Sequence, residues 1–258
     1  MLREDFGVLG EATRKAGIRN AVITNGTLIP ARPQLLDHVD EIVFSLDDVR
    51  ADVNDRLRGP GSHALVIAAI DLALARGLSV YVNQVVTQEN FDEVEPMLEF
   101  CESRGIRLNA QPVMMGVEFY DDDAIRRRLM LSQEEIRILF GRLATWRRAG
   151  RPVLFSAETY ERSGEWDDFA KLTTASDGES SCMAGRYYVH IAANGDVRPC
   201  VQHRQPFTPK NVVRDGLEAA LEHAQHHSCG DCYTVYLNER KSLFSLRPSA
   251  VLDTLRRD

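Results

Sequence analysis

Strand-like and helix-like segments alternate along the first 150 residues of the chain. Short apolar runs predict strands, and the longer amphipathic runs between them predict helices. This alternation is typical of βα units on a parallel sheet. The predicted strands are Asn20–Thr24, Glu41–Leu46, Ser79–Val86 and Ile106–Pro112. The predicted helices are Phe6–Ala16, Pro33–His38, His63–Arg76, Phe91–Ser103 and Ser132–Ala149.

The pattern changes after residue 150, where the hydrophobic periodicity weakens. Gly, Ser, Thr and Asp accumulate over residues 151–177, which predicts a linker. The linker would join a larger βα domain at residues 1–150 to a smaller domain at residues 178–258. The sequence therefore predicts an α/β protein with two domains.

The smaller domain carries turn signals and short apolar runs. Asn194-Gly195-Asp196 predicts a hairpin turn between two short strands, Tyr187–Ala192 and Val197–Cys200. A helix-like stretch follows at Gly216–His227. The last stretch, Tyr233–Leu255, is expected to end in a helix that folds back against the larger domain.

Composition and charge limit the classes of function. The chain has 258 residues, of which 44% are apolar and 27% charged, and its formal net charge is −7. It lacks the basic excess that is typical of nucleic-acid-binding proteins. No apolar run approaches the roughly 20 residues of a membrane span, and the first residues lack the apolar core of a signal peptide. We therefore expect a cytoplasmic protein with neither nucleic acid nor membrane as a partner.

Polar residues mark three of the predicted strands. Thr24-Asn25-Gly26 closes the first strand, Ser45-Leu46-Asp47 closes the second, and Asn83-Gln84 interrupts the third. Ligand-contacting residues of parallel sheets lie at the carboxyl edge, so three such strands in order indicate a binding site. The alternative is that these are turn and capping residues, because Asn-Gly is a common turn.

Four of the five cysteines lie in the last third of the chain: Cys182, Cys200, Cys229 and Cys232. In a chain with no sign of secretion, four thiolates gathered by two turns fit a soft metal centre better than two disulfides. Residue spacing leaves the metal open between zinc and an iron–sulfur cluster. The fifth cysteine, Cys101, lies in an amphipathic helix and is expected to be a small buried residue.

Histidines near the four cysteines leave a second ligand set open. A Cys/His zinc site could recruit His203, His223, His226 or His227. The alternative is that these side chains are solvated, or lie near the centre and tune it without ligating the metal.

The polar strand ends resemble the middle of a radical S-adenosylmethionine (SAM) enzyme. Thr24-Asn25-Gly26, Ser45-Leu46-Asp47 and the stretch from Asn54 to Ser62 carry this part of the resemblance. It implies a partial (βα) barrel of the radical SAM type.

The tail resembles the SPASM or twitch auxiliary-cluster domain of the same family. The marks of that domain are a cysteine, a Gly-x4-Cys step and a later Cys-x2-Cys. Cys182, Gly195 to Cys200, and Cys229 with Cys232 reproduce them. The resemblance spans nearly the whole chain.

Two family motifs are absent from this sequence. They are the Cys-x3-Cys-x2-Cys loop after the first strand and Gly-Gly-Glu-Pro at the end of the second. The opening Met1 to Phe6 resembles the segment that follows Gly-Gly-Glu-Pro, so the chain is expected to lack the first two strands of a six-stranded barrel. Either Met1 is an internal methionine of a longer product that keeps the cysteine loop, or the chain is a truncated relic.

The resemblance implies that the four cysteines hold a [4Fe–4S] auxiliary cluster. SAM cleavage needs an iron with a vacant coordination position, which three cysteines on four irons leave and four cysteines close. A full-length form would cleave SAM to a 5′-deoxyadenosyl radical and modify a peptide or small-molecule substrate, with a flavodoxin or ferredoxin as electron donor. This chain alone is not expected to do so. The alternative function is a non-catalytic zinc-binding scaffold or partner-binding protein.

The resemblance also implies five SAM contacts: Thr24, Ser45, Asp47, Arg58 and Asn83. Thr24, Ser45 and Asp47 would serve the ribose and amino groups, and Arg58 would bind the methionyl carboxylate. Asn83 would reach the ribose or the substrate.

Two further expectations concern the charge of Arg58 and the edge of the sheet. The alternative for Arg58 is a surface salt bridge with Asp55 or Glu41.

Loss of two barrel strands would expose the strand that ends at Thr24, and this edge would allow a homodimer to form.

Overall fold

The computed structural model describes residues 3–113, 128–176, 182–203, 205–248 and 251–252. These residues divide into two compact units. The first unit contains residues 3–113, 128–132 and 145–154, and the second contains the remaining described residues.

The first unit is built on a four-stranded parallel sheet in the order β1-β2-β3-β4. The strands are β1 (Ala21–Thr24), β2 (Glu41–Ser45), β3 (Ser79–Val86) and β4 (Arg107–Pro112). All four predicted strands are confirmed, with ends that differ by at most one residue. Each is short and apolar at alternate positions, as expected for a sheet with one covered face.

Helix α1 (Phe6–Lys15) precedes β1, α2 (Ala51–Arg58) and α3 (Ser62–Ala75) join β2 to β3, and α4 (Val94–Ser103) joins β3 to β4. Helix α5 (Gln133–Arg148) follows β4, and only its residues 145–148 belong to the first unit. Helix α2 was not predicted, because its sequence is strongly polar and gives no apolar stripe. The predicted helix Pro33–His38 is a short 3₁₀ turn, Pro33–Leu36, and another, Phe91–Glu93, precedes α4.

One face of the sheet is packed against α3 and α4. Side chains on this face, such as Phe44, Val82 and Leu108, are fully buried. Cys101 on α4 is buried as predicted, and burial raises the pKa of its thiol to about 12. Alternate positions on the opposite face are half-buried or exposed, and Ile23 on β1 is 74% exposed. The sheet therefore presents one face away from the helices.

The described part of the second unit contains residues 133–144 of α5, short strands and further helices. The strands are β5 (Thr173–Ala175), β6 (His190–Ile191), β7 (Asp196–Arg198), β8 (Lys210–Asn211) and β9 (Cys229–Cys232). The helices are α6 (Ala157–Gly164), α7 (Leu217–Ala224) and α8 (Val235–Phe244).

The predicted hairpin in this unit is confirmed. β6 and β7 pair antiparallel, and Gly195 between them has φ of 88°, a conformation that favours glycine. Both strands are shorter than predicted, and so is the helix predicted at Gly216–His227.

The interval expected as a linker, residues 151–177, contains α6 and β5 within its described part. The buried carboxylate of Glu239 on α8 accepts hydrogen bonds from the hydroxyls of Ser156 and Thr159, each at 2.7 Å. The Ser156 hydroxyl itself caps α6 by accepting from the N–H of Thr159, and Glu239 holds both hydroxyls in place. Local sequence could not reveal the bonds to Glu239, because Glu239 lies about 80 residues further along the chain.

Helix α8 is the helix expected in the final stretch. Its Asn238 Nδ2 donates to Ser163 Oγ on α6 at 3.1 Å, so α8 packs within the second unit. Part of the predicted stretch up to Leu255 lies outside the described residues. Among the helices that the structure describes, none combines the length and apolar character required to cross a bilayer.

Strands β5 and β9 pair antiparallel with a shift of register. Thr173 pairs with Cys232 and Ala175 with Cys229, so two steps along β5 match three steps along β9. The extra residue in β9 is a β-bulge. In a regular strand residues three apart face opposite sides, and the bulge removes this difference. The Cys-x2-Cys pair can therefore face one site.

Gly230 lies in this bulge, close to β5. A Cβ atom on Gly230 would lie 2.8 Å from the backbone oxygen of Ala175 and 3.0 Å from Thr174 Oγ1. We expect Gly230→Ala to lower the free energy of unfolding by about 1–3 kcal/mol through overpacking. Urea unfolding followed by circular dichroism measures this.

The matched control is Gly141→Ala on α5, where a Cβ would meet nothing within 4 Å. Alanine favours a helix, so this variant should be as stable as the parent or gain up to about 1 kcal/mol. Equal stability of the two variants would contradict the close packing of Gly230.

Candidate functional site

A polar cavity lies at the carboxyl ends of β1 and β2. Its volume is about 180 Å³, below the roughly 300–1,000 Å³ of complete small-molecule sites, so it can hold only part of a larger ligand. Ser45 and Arg58 among the predicted contacts line this cavity. The other lining residues are Asn25, Thr27, Asn54, Leu57 and Ser62.

A row of polar side chains crosses the uncovered face of the sheet. Strand register sets Ser45 beside Asn83 and Asn83 beside Asn109. Asn109 Nδ2 donates to Asn83 Oδ1 at 2.7 Å, while Asn109 Oδ1 is buried without a hydrogen-bond partner among the described residues. The structure thus brings Ser45 and Asn83 together and adds Asn109, which sequence reasoning missed. Alternating polar residues along β4 were the available signal.

Arg58 and Asp47 form an ion pair at the edge of this cavity. Arg58 Nε lies 2.6 Å from Asp47 Oδ2, and Arg58 Nη2 donates to Asp47 Oδ1 at 2.8 Å. The Asp47 side chain is 9% exposed and that of Arg58 is 23% exposed. The alternative partners considered for Arg58, Asp55 and Glu41, were wrong. Asp55 instead accepts from the backbone N–H groups of Gly61 and His63, next to α3.

Hydrogen bonds to the backbone and to the carboxylate of Asp47 also hold this residue in place. Its N–H donates to Asn54 Oδ1 at 3.0 Å, and its carbonyl accepts from Asn90 Nδ2 at 2.6 Å and Gln84 Nε2 at 3.1 Å. Its carboxylate also accepts from the N–H of Val85 at 2.9 Å. These contacts tie the end of β2 to α2 and β3. Any ligand group that binds Arg58 must share that cation with Asp47.

Thr24 lies apart from the polar row. It pairs with Phe44, whose side chain faces the helices, so strand alternation places Thr24 on the helix-covered face. Its Oγ1 accepts from the N–H of Gly26 at 3.1 Å, and it does not line the cavity. The structure therefore gives Thr24 the contact of a turn residue.

The four C-terminal cysteines converge in the second unit. Cys200 and Cys232 belong to one buried cluster against which Cys182 packs. Cys229 is also buried, and its thiol interacts electrostatically with Cys182, Cys232 and Cys200. Within the described residues, none of these cysteines is joined in a disulfide.

Burial disfavours the thiolate form of these cysteines. Burial, with the charges of the neighbouring cysteines, raises the pKa of Cys229 to about 12, and burial raises the pKa of Cys232 to about 12. Metal binding requires thiolates, so a bound cation has to offset this cost. The donor set, four sulfurs and no disulfide, fits a soft metal or an iron–sulfur cluster.

Distances between possible ligands bear on the two candidate metals. In the part of the chain that the structure describes, no three Cys, His, Asp or Glu side chains are close enough together to hold one metal ion. A zinc ion binds sulfur at about 2.3 Å and so draws its ligands tightly together. A four-iron cluster holds its cysteines further apart, because several atoms lie between the sulfurs.

His227 borders the cysteines through both ring nitrogens. Its Nδ1 accepts from the backbone N–H of Cys229 at 3.2 Å, and its Nε2 lies 3.0 Å from the carbonyl oxygen of Ala184. Nε2 must therefore carry the proton. His223 Nε2 lies 2.9 Å from the carbonyl of Thr208, His226 is exposed, and the His203 ring packs against His227 and Phe207. His227 thus orients the Cys229 backbone.

Comparison with known proteins matches the first unit to one family. Residues 1–101 match the model described as "Radical SAM superfamily". The chain is 30% identical over 204 residues to the PqqA peptide cyclase of Ruegeria pomeroyi, covering 77% of this chain and 51% of that protein. It is 28% identical over 224 residues to the mycofactocin maturase MftC of Mycolicibacterium smegmatis, covering 83% and 53%. The chain spans about half the length of these relatives.

A solved structure shares the fold. Streptococcus suis SuiB bound to S-adenosylmethionine superposes with a TM-score of 0.57 at 18% identity, covering 80% of this chain and 48% of SuiB. The α/β architecture with a parallel sheet predicted from the sequence is thereby confirmed.

The ion pair between Asp47 and Arg58 generates a stability prediction. Asp47→Asn keeps the side-chain size but leaves a partly buried guanidinium without its anion. We expect the free energy of unfolding to fall by about 2 kcal/mol. Urea unfolding measures it.

Asp52→Asn is the control, since it breaks an exposed Asp52–Arg56 pair on α2, the helix that carries Arg58. It should change stability little, because solvent screens exposed pairs. An equal loss in both variants would show that the Asp47 pair has no special role.

Proposed function

We propose that this chain, whose first 101 residues match the radical SAM superfamily, forms the sheet and auxiliary-cluster region of a radical SAM maturase. The observation that carries the proposal is the convergence of the four C-terminal cysteines in a buried site. A scaffold that binds no metal would not require four thiols whose charged forms are so disfavoured by burial.

Cys182, Cys200, Cys229 and Cys232 would hold a [4Fe–4S] cluster. Four cysteines fill every iron position that the protein can reach, so this cluster is closed. When bound, it would supply one-electron chemistry without a coordination site for SAM. The protein contributes the bulged strand β9, which sets Cys229 and Cys232 toward one site, and His227, which holds the Cys229 N–H.

The first unit would bind polar groups of SAM. The Ser45 hydroxyl and the Asn83 amide fit the ribose hydroxyls, and Arg58 fits the methionyl carboxylate, which it would share with Asp47. Thr24 would act by holding the turn at Gly26. Because the cavity holds only part of a ligand, residues beyond those lining it would complete the cofactor site.

The substrate class proposed is a peptide or a peptide-derived cofactor precursor. Support comes from the named relatives, a peptide cyclase and a mycofactocin maturase. We further propose a cytoplasmic setting with a flavodoxin or ferredoxin as electron donor. These assignments rest on the relatives' names and on the thiol-rich site.

Iron binding by the cysteines is the central prediction. Anaerobic reconstitution should give a brown protein with about four irons and four sulfides per chain. Cys200→Ser and Cys229→Ser should each lose most of the iron and of the visible absorption. Iron and sulfide analysis with visible spectroscopy measures this.

Cys101→Ala is the matched control, because Cys101 lies on α4 of the first unit and should leave the iron content unchanged. Far-UV circular dichroism verifies that the serine variants remain folded. A colourless parent chain with stoichiometric zinc after reconstitution would contradict the cluster and support the zinc-binding scaffold.

The closed site also predicts how the reconstituted chain treats SAM. The sequence contains no Cys-x3-Cys-x2-Cys run, and the four C-terminal cysteines would leave no vacant iron. Incubation with SAM and dithionite should therefore release no 5′-deoxyadenosine, measured by liquid chromatography and mass spectrometry. Stoichiometric release of deoxyadenosine and methionine would overturn the assignment.

A further inference from the structure

Two tyrosines pack against the C-terminal cysteines, and an arginine lies over the tyrosine rings. Tyr188 and Tyr236 pack on the buried cluster that contains Cys200 and Cys232. The Tyr188 hydroxyl is 3.9 Å from the sulfur of Cys182. Phenol groups therefore border the sulfur atoms directly.

Arg240 lies over both aromatic rings. Its guanidinium carbon is 5.2 Å from the ring centroid of Tyr188 and 5.7 Å from that of Tyr236. Tyr236 and Arg240 are four residues apart on α8, so they share one helix face. The two rings hold the cation by cation–π contacts on the side that borders the cysteines.

The charge of Arg240 differs from that of its neighbour. Lys241 pairs with Asp231 at 2.9 Å, which neutralises it. Among the residues that the structure describes, no carboxylate pairs with Arg240. The two rings that hold this cation pack against the cysteine cluster, so its field reaches a negative charge placed there.

A cluster held by four thiolates gains a negative charge when it accepts an electron. Added charge in a partly buried site is unfavourable, and a nearby cation or a hydrogen-bond donor to sulfur offsets it. No bond forms or breaks in this step.

We propose that Arg240, held over Tyr188 and Tyr236, and the Tyr188 hydroxyl are positioning residues that raise the reduction potential of the proposed cluster. This inference rests on the proposed function, because it presupposes a cluster on the four cysteines. Helix α8 would then help to set the potential at which the cluster accepts an electron from a low-potential donor.

The test is a potentiometric titration of the reconstituted chain with dithionite and mediators, followed by electron paramagnetic resonance. Arg240→Gln should lower the midpoint potential, so that about fivefold less cluster is reduced at a fixed potential, which is about 40 mV for a one-electron couple. Solvent screening of the exposed arginine keeps the effect moderate. Arg240→Lys should restore most of the potential, and Tyr188→Phe should lower it.

Arg247→Gln is the matched control. It removes the same charge from a residue that pairs with Glu158 at 2.7 Å. It should shift the potential less than Arg240→Gln does. An Arg240→Gln protein with full iron content and an unchanged potential would overturn the inference while leaving the proposed function intact. A parent chain that assembles no cluster would overturn both.

Discussion

The extra residue in β9 is the constraint on which the C-terminal site depends. Cysteines separated by two residues on a regular strand would face opposite sides of it. The register shift against β5 lets Cys229 and Cys232 serve one site, and Gly230 permits the backbones to approach. Asn238 on α8 then donates to the carbonyl of Cys232 at 3.0 Å. Strand pairing and one buried amide thus fix two of the four cysteines proposed as ligands.

In the first unit, side chains alternate along each strand between a face that packs against helices and a face that carries polar groups. Positions that face α3 and α4 are mostly apolar and buried, and the buried Gln84 on this face bonds the carbonyl of Asp47. The opposite positions are available for polar groups, and parallel register aligns Ser45, Asn83 and Asn109 in one row. Asp47 follows β2 and fixes the end of this row through its contacts with α2 and β3. Asp47, which the sequence predicted as a SAM contact, therefore has a structural role.

Sequence patterns predicted the strands because β-branched runs between helical segments are a local signal. They also predicted the four cysteines as a group and the hairpin at Gly195. They could not predict that Arg58 pairs with Asp47 or that Asn109 joins the polar row, because both depend on register between strands. Helix α6 begins with a local cap, Ser156 accepting from the N–H of Thr159, but the buried Glu239 that holds both hydroxyls lies far along the chain. Long-range partners carry no local pattern.

The backbone N–H groups of two cysteines have hydrogen-bond partners other than sulfur, which bears on how the protein would set the reduction potential of a cluster. The N–H of Cys229 donates to His227, and the N–H of Cys232 donates to the carboxylate of Asp231 at 2.9 Å. Both donors are therefore already engaged and are not directed at sulfur. Reduction potentials of iron–sulfur centres depend on hydrogen bonds to sulfur and on nearby charge. The backbone of Thr234 also hydrogen-bonds Cys232, so backbone and side chains share this control. The Tyr188 hydroxyl lies 3.9 Å from the sulfur of Cys182, and Arg240 lies over the Tyr188 ring.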